Sequence, residues 1–414
     1  MFDTLFTQPS IIARHINAPY REERERYLRH CHQQGYTRST LLLMARELLW
    51  IALKIPISAE QGVTIEQVRA AASGWRKRER FCGQKLSCRW TRIRFIQVAR
   101  TWLRFSGYWR EPQQSIPFEP LLVDFHRWMH EERGFTAMTI ERRCGLLKQF
   151  LHWYAQQGRP FPSVGLTEVD AFLADYGRRG NCRTSVKNMA SVLRTFLGYA
   201  GSQGWCSSRV AKEIHGPRLF AQERLPMGPP WSEVKRLIAS MGNNEPRDIR
   251  DRALVLLFAV YGFRATEVST LRLEDIDWDL NLISVARVKR RGQQNYPLTT
   301  LVGNAIIDYL RQVRPQTGHR QIFLSLSRPY RPVTRSSLYS MVSQRMKALG
   351  IVSTHFGPHA LRHACASHLV AEGLSLKEIG DHLGHRSTAA TRIYAKVDLA
   401  ALREVAAFDA GELL

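Results

Sequence analysis

The sequence has no run of about 18 consecutive apolar residues, so nothing in it reads as a membrane span. It also has no Cys-x-x-Cys pair. Its 7 cysteines are odd in number and scattered, Cys82 and Cys88 being the closest two. That pattern argues against a disulfide framework and suits reduced thiols in a cytosol. The opening MFDTLFTQPSIIARH lacks the basic-then-apolar order of a secretory signal. Acidic residues are scarce: 36 Asp and Glu stand against 60 Lys and Arg, a formal net charge of +24. Such an excess calls for a polyanionic partner, most simply nucleic acid, and without a span a membrane is not expected. Hydrophobic residues make up 44%, enough for packed cores, and 414 residues allow two or three domains.

The basic residues concentrate between Gly74 and Phe105, where Glu79 is the one acid. Arg76, Lys77, Arg78, Arg89, Arg92 and Arg94 interleave there with Trp75, Phe81, Trp90, Phe95 and Trp102. Cations mixed with aromatics suit a DNA surface, and the alternative is a solvated basic face over a packed aromatic one. Helical patterns precede this stretch, at Arg21 to Leu53 and Gln61 to Ser73. Residues 1–110 thus form a first helical, basic unit, closed by the linker EPQQSIPF. A second helical unit covers 118–216. In it Arg183 and Lys187 lead into a helix and could touch phosphates, or could equally be a solvated helix start. GYTRST at Gly35 is echoed by GFTAMT at Gly134, each between a polar and an apolar helix, as in two related modules. The Pro-rich segment 217–230 reads as a connector.

The third unit, 231–397, opens on WSEVKRLIASM. DIRDRALVLLFAV, Asp248 to Val260, is apolar nearly all round and should be a buried helix. Arg264 follows Gly262 in a turn, and an arginine beside a buried helix needs an anion, which Glu267 could supply. LISVARVK alternates as a strand, RRGQQ turns and NYPL returns, a hairpin with Lys289 at its edge.

Gly357 to Lys396 then reads as three short helices. Pro358 suits a first helical position and Gly373 the residue past a helix end. Ser375 and Glu378 have capping-box spacing, and Gly384 closes the second helix. Ser387 or Thr388 opens the third, which carries Tyr394. His359 and Arg362 project from one side of the first, and His385 follows the end of the second. A tyrosine oxygen can be a covalent nucleophile, an arginine fork fits phosphate, and histidines move protons. Together they suit attack by tyrosine on a phosphodiester. Taken singly, each could be an ordinary helix residue. Zinc is disfavoured, because neither a carboxylate nor a cysteine accompanies His359 and His363 at metal spacing.

HALRH, LGH and TRIY, in this order, resemble the carboxyl-terminal motifs of the tyrosine recombinases, the phage-integrase family. GFRATEVSTLRLEDID resembles the family pattern around an earlier arginine. The resemblance covers about Phe118 to Lys396. It implies a mainly α fold: helical DNA-binding units, then a mixed α/β catalytic domain with a small antiparallel sheet. It implies an enzyme that cuts and rejoins DNA through a 3′-phosphotyrosyl link made by Tyr394. Arg264 and Arg362 would clamp the phosphate and His385 would bond one of its oxygens. His359 would accept the tyrosine proton, and Lys289 would protonate the leaving 5′ oxygen, with Arg290 or Arg291 as alternatives. No metal or other cofactor is expected. The partner would be double-stranded DNA with paired half-sites, bound by a homo-tetramer or with related recombinase partners, at the bacterial nucleoid in the cytoplasm. The added first unit suggests a mobile element, for integration, excision or transposition. A type IB-like topoisomerase and a DNA-binding regulator without catalysis are the alternatives. The tail 398–414 carries Leu399, Leu402, Val405 and Phe408 on one helical face and is expected to join subunits.

Overall fold

The computed structural model describes residues 1–57, 62–79, 88–111, 116–219, 228–287, 292–385, 391 and 394; side chains at 74–79 and 88–91 fall outside the description. The chain forms two compact units, Glu111–Glu223 and the pairing of Met1–Arg110 with Arg224–Leu414. The architecture is mainly helical, with one small antiparallel sheet. Among the described residues, no helix is long and apolar enough to cross a membrane. The expected hairpin edge (Lys289, Arg290, Arg291), most of the third short helix and the whole of 398–414 lie outside the described residues.

The first 110 residues have their own core, built on Leu41, Leu48, Phe95, Trp102 and Leu103. Three of these come from the basic stretch, so its helix Cys88–Phe105 buries Phe95 and Trp102 while Arg92 is exposed. The second unit packs its helices around Phe125, Phe150, Phe172 and Phe196. The echo between the two is structural as well. Gly35 and Gly134 both take positive φ, +83° and +58°, just past a helix end, where a side chain would strain the backbone. Thr37 and Thr136 then cap the next helix through hydroxyls that accept from the Thr40 and Thr139 amides, at 3.3 and 3.4 Å.

From Trp231 onward the core forms around the helix Pro246–Val260, whose Ala253 to Ala259 are all buried. Its buried Asp251 receives Arg250 at 2.7 Å and Arg345 at 2.8 Å, which fastens the helix Arg335–Ala348 to it. The sheet orders β1 (Ile276–Asp277), β2 (Leu282–Arg287) and β3 (Gly292–Pro297) side by side. Alternation turns Ile283, Val285 and Arg287 of β2 inward. A smaller cluster of Cys365, Ala366, Val370, Ile379, Leu383 and Tyr394 forms where the helices Pro358–Ala371 and Leu376–Leu383 meet residue 394.

Candidate active site

Local sequence places each element of the site. Pro358 opens the helix bearing His359, Arg362 and His363. Ser375 accepts from the Glu378 amide at 3.2 Å, and Glu378 returns a bond to the Ser375 amide at 2.8 Å, so the capping box is complete. Gly384 ends that helix at φ +62°. A Cβ on Gly384 would stand 2.7 Å from Nε of Arg287, so conformation and space both call for glycine.

That helix end is where the arginines converge. Arg362 donates to the Leu383 carbonyl at 2.7 Å and to the Gly262 carbonyl. Arg264 reaches the Gly384 carbonyl at 3.3 Å, and Arg287 reaches that of His382 at 3.3 Å. Unpaired carbonyls and the negative end of the helix dipole welcome cations. Glu267 is the carboxylate that Arg264 and Arg287 share. Its Oε1 takes Arg264 at 2.8 Å, and its Oε2 takes Arg287 at 2.7 Å and the Arg264 amide at 2.8 Å. Burial opposes the charge on Glu267, but the Arg264 amide and the two guanidinium groups outweigh it and hold the carboxyl below its usual range. Arg287 also donates to Gln294 at 3.0 Å and to the Tyr296 hydroxyl, and Gln294 donates to the Asp381 carbonyl at 2.9 Å. β2 and β3 are thus bolted to the same helix end.

Two of the three guanidinium groups share one carboxylate, while the third, Arg362, rests on backbone carbonyls. The site therefore keeps an excess of positive charge. Arg362 is buried, and desolvation with the Arg264 charge pulls it down to about 10, which leaves it charged at neutral pH.

The histidines around this cluster are held neutral. Burial, then Arg362 and Arg264, pushes His385 down to about 4. Its Nδ1 lies 2.8 Å from the Thr391 hydroxyl. His359 is exposed at the edge of the site, and the protein mass behind it and Arg362 lower it as well. Tyr394 is 2% exposed, and burial raises its hydroxyl to about 12. That hydroxyl lies 2.8 Å from Nδ1 of His363.

Of the six expected catalytic residues, five are described: His359 and Arg362 on the helix Pro358–Ala371, His385 just past the helix Leu376–Leu383, Arg264 in its turn, and Tyr394 packed against the two helices. The sixth, Lys289, lies between β2 and β3 outside the described residues. The sequence reading named His359 as the acceptor for the tyrosine proton, but the ring nitrogen in contact with Tyr394 belongs to His363. It also missed Arg287, although a charged residue on the inward face of a strand was a legible signal. The expected DNA contacts fare unevenly. Arg76, Lys77, Arg78 and Arg89 lie on helices, with side chains outside the described residues. Arg92 is exposed, whereas Arg94 is paired at 2.8 Å with the buried Glu47. Arg183 donates to the Arg218 carbonyl at 2.6 Å, and Lys187, one turn on, is exposed.

Residues 231–400 match the family model described as "Phage integrase family", and residues 122–204 match "Phage integrase, N-terminal SAM-like domain". A Sinorhizobium fredii protein named as an integrase/recombinase, y4rA, is 35% identical over 299 residues, 70% of this chain and 72% of that one. The tyrosine recombinase XerD of Listeria monocytogenes is 26% identical, over 69% of this chain and 96% of its own. A crystal structure of the XerH site-specific recombinase bound to palindromic difH substrate aligns with a TM-score of 0.56 at 18% identity, covering 93% of this chain and 94% of that one.

Proposed function

Because this chain belongs to the phage integrase family of tyrosine recombinases and is a site-specific recombinase, we propose that Arg264, Lys289, His359, Arg362, His385 and Tyr394 are the residues that break and rejoin its DNA. The observation that carries this assignment is the convergence of Arg264 and Arg362 on the carbonyls of Gly384 and Leu383, with His385 next in the chain. Two forks fixed by the same helix end are preorganised for the non-bridging oxygens of a phosphodiester. Charge that grows on those oxygens in the pentacoordinate transition state meets donors already in place. His385, kept neutral beside the Thr391 hydroxyl, bonds a phosphate oxygen of the substrate. Tyr394 attacks phosphorus and takes the 3′ side in covalent linkage, and Lys289 protonates the departing 5′ oxygen. His359 assists proton transfer, accepting from Tyr394. The covalent link conserves the bond, so a partner strand's 5′ hydroxyl can reverse the attack.

The DNA is double-stranded, with paired half-sites. Residues 118–216 and 231–397 are its core-binding and catalytic domains, joined through 217–230. Residues 1–110 add phosphate contacts through Arg76, Lys77, Arg78, Arg89 and Arg92, and the matching turns at Gly35 and Gly134 support reading them as a second helical DNA module. The active assembly is a homo-tetramer in which the tail 398–414 reaches a neighbouring subunit. The setting is a mobile element acting in the cytoplasm of a bacterial cell.

A duplex selected from a random pool by the Tyr394→Phe protein provides the substrate, and a nick beside the cleavage point traps the adduct. The unaltered chain should form a covalent complex that survives denaturing gels. Tyr394→Phe should bind and form none. Adduct surviving in Tyr394→Phe would move the nucleophile to Tyr330 or Tyr339. Relaxation of supercoiled circles without exchange of strands would point to a topoisomerase.

A further inference from the structure

Resting on that reading, we infer that Arg287, on the inward face of β2, is a positioning residue for Arg264: it satisfies Glu267, so that the Arg264 fork stays available to the phosphodiester. The Arg264 side chain is 28% exposed, whereas those of Glu267 and Arg287 are 2% and 3% exposed. Arg264 is thus the guanidinium that meets the outside, and the other two groups lie behind it. Glu267 divides its oxygens between them. Oε1 takes Nη1 of Arg264 at 2.8 Å, and Oε2 takes Nη1 of Arg287 at 2.7 Å. Left to themselves, an arginine fork and a carboxylate favour a two-point pair. Arg287 occupies the oxygen that such a pair would need. Nη2 of Arg264 is left with the Gly384 carbonyl at 3.3 Å, a long bond that a phosphate oxygen can replace.

Charge follows the same division. Two guanidinium groups against one carboxylate leave one positive charge for the substrate, and one against one would leave none. Arg287 does this from a fixed place. Its Nε donates to Gln294 at 3.0 Å, and its Nη2 donates to the Tyr296 hydroxyl and to the His382 carbonyl at 3.3 Å. Its guanidinium carbon lies 5.8 Å from the ring centre of Phe263 and 5.3 Å from that of Tyr296. Phe263 directly precedes Arg264, so Arg287 holds both the carboxylate that anchors the fork and the residue next to it in the chain. Buried and tied on every nitrogen, Arg287 acts through Glu267 and Arg264, without touching the DNA.

The test uses the full chain at saturating concentration on the selected, nicked duplex, made once with the ordinary phosphodiester at the cleavage point and once with a methylphosphonate there. The methylphosphonate carries no negative charge, so its transition state needs less positive charge from the site. Arg287→Met should bind the duplex as the unaltered chain does and cleave the phosphodiester about 10²-fold more slowly, as a misplaced catalytic group does. Most of that deficit should disappear on the methylphosphonate. Adding Arg287→Met to Arg264→Ala should slow cleavage little beyond Arg264→Ala alone, because both changes act on one fork. A deficit equal on the two linkages, or one that multiplies with that of Arg264→Ala, would make Arg287 a structural tie alone and overturn the assignment. If Arg287→Met does not fold, Arg287→Met with Glu267→Gln takes its place. With no carboxylate left to claim Arg264, it should cleave the phosphodiester faster than Arg264→Ala, and a folded double variant as slow as Arg264→Ala would overturn the assignment equally. Covalent adduct from the unaltered chain on the phosphodiester is the separate measure of the recombinase chemistry itself, and its absence would remove both readings.

Discussion

At the scale of single residues, the site depends on forks. Arg362 spans the carbonyls of Gly262 and Leu383, and a lysine could satisfy one of them but not both. Arg362→Lys should therefore cost about 1–3 kcal/mol of stability through an unpaired buried carbonyl. It should also slow adduct formation by about 10²–10³-fold, as loss of a transition-state donor does. Arg264 is more exposed and tied to Glu267. Arg264→Lys should leave the melting temperature nearly unchanged while cleavage falls by a similar factor. Near-normal cleavage would make Arg264 a structural partner of Glu267. The neutral histidines set an acid limit. His363 and His385 are held at about 4, below the 6.5 they regain on unfolding. Between those values the unfolded chain binds more protons than the folded one. Their contribution is thus complete above pH 6.5 and is lost as pH falls from 6.5 towards 4. Melting temperature measured across that window should fall on acidification, and His363→Gln should flatten the fall.

At the scale of elements, the hairpin and the helix end act as one piece because Arg287 joins them. Arg287 and Glu267 are each about 3% exposed, so their pair is a buried one. Arg287→Met should cost about 3–5 kcal/mol by leaving Glu267 with one guanidinium partner instead of two. Adding Glu267→Gln should recover part of that loss, because the second change removes the stranded charge. Both are readable as denaturation midpoints. Recovery of stability without recovery of cleavage would separate the fold's need for this pair from the site's. Much of this level was legible beforehand. The capping box at Ser375, the buried helix 246–260 and the β2–β3 return follow from caps and periodicity, which are local. The Arg287–Glu267 link was not, because it joins residues on different elements and no spacing rule connects them.

At the scale of the whole molecule, the +24 charge is spread over more than the catalytic unit. The first 110 residues have an independent core, and their basic helices leave Arg92 outward. Binding to the selected duplex should weaken steeply with salt. Replacing Arg76, Lys77, Arg78 and Arg92 with glutamine should lower the slope of log K against log salt by about 0.9 for each phosphate contact removed. Filter binding over a salt series reads this directly. An unchanged slope would assign the surface to protein contacts or solvent. Arg94 is left out of the set, since its guanidinium already serves Glu47.

The sequence by itself determined the chemistry on offer. Arg264, Arg362, His359, His385 and Tyr394 stand in motifs whose helices are started and stopped by Pro358, Ser375 and Gly384, signals that act within a few residues. Composition, by the same token, called for a polyanion. Tertiary structure alone decided what those groups touch. It set the Tyr394 hydroxyl against His363, made Glu267 serve two arginines, and spent Arg94 on a buried carboxylate. His359 and His363 lie on neighbouring positions of one helix face, four apart, and differ little in pattern. Which of them meets a hydroxyl 31 residues further on depends on how two short helices pack. That packing is fixed by side-chain volume and desolvation in the Cys365–Leu383–Tyr394 cluster, which no local periodicity records.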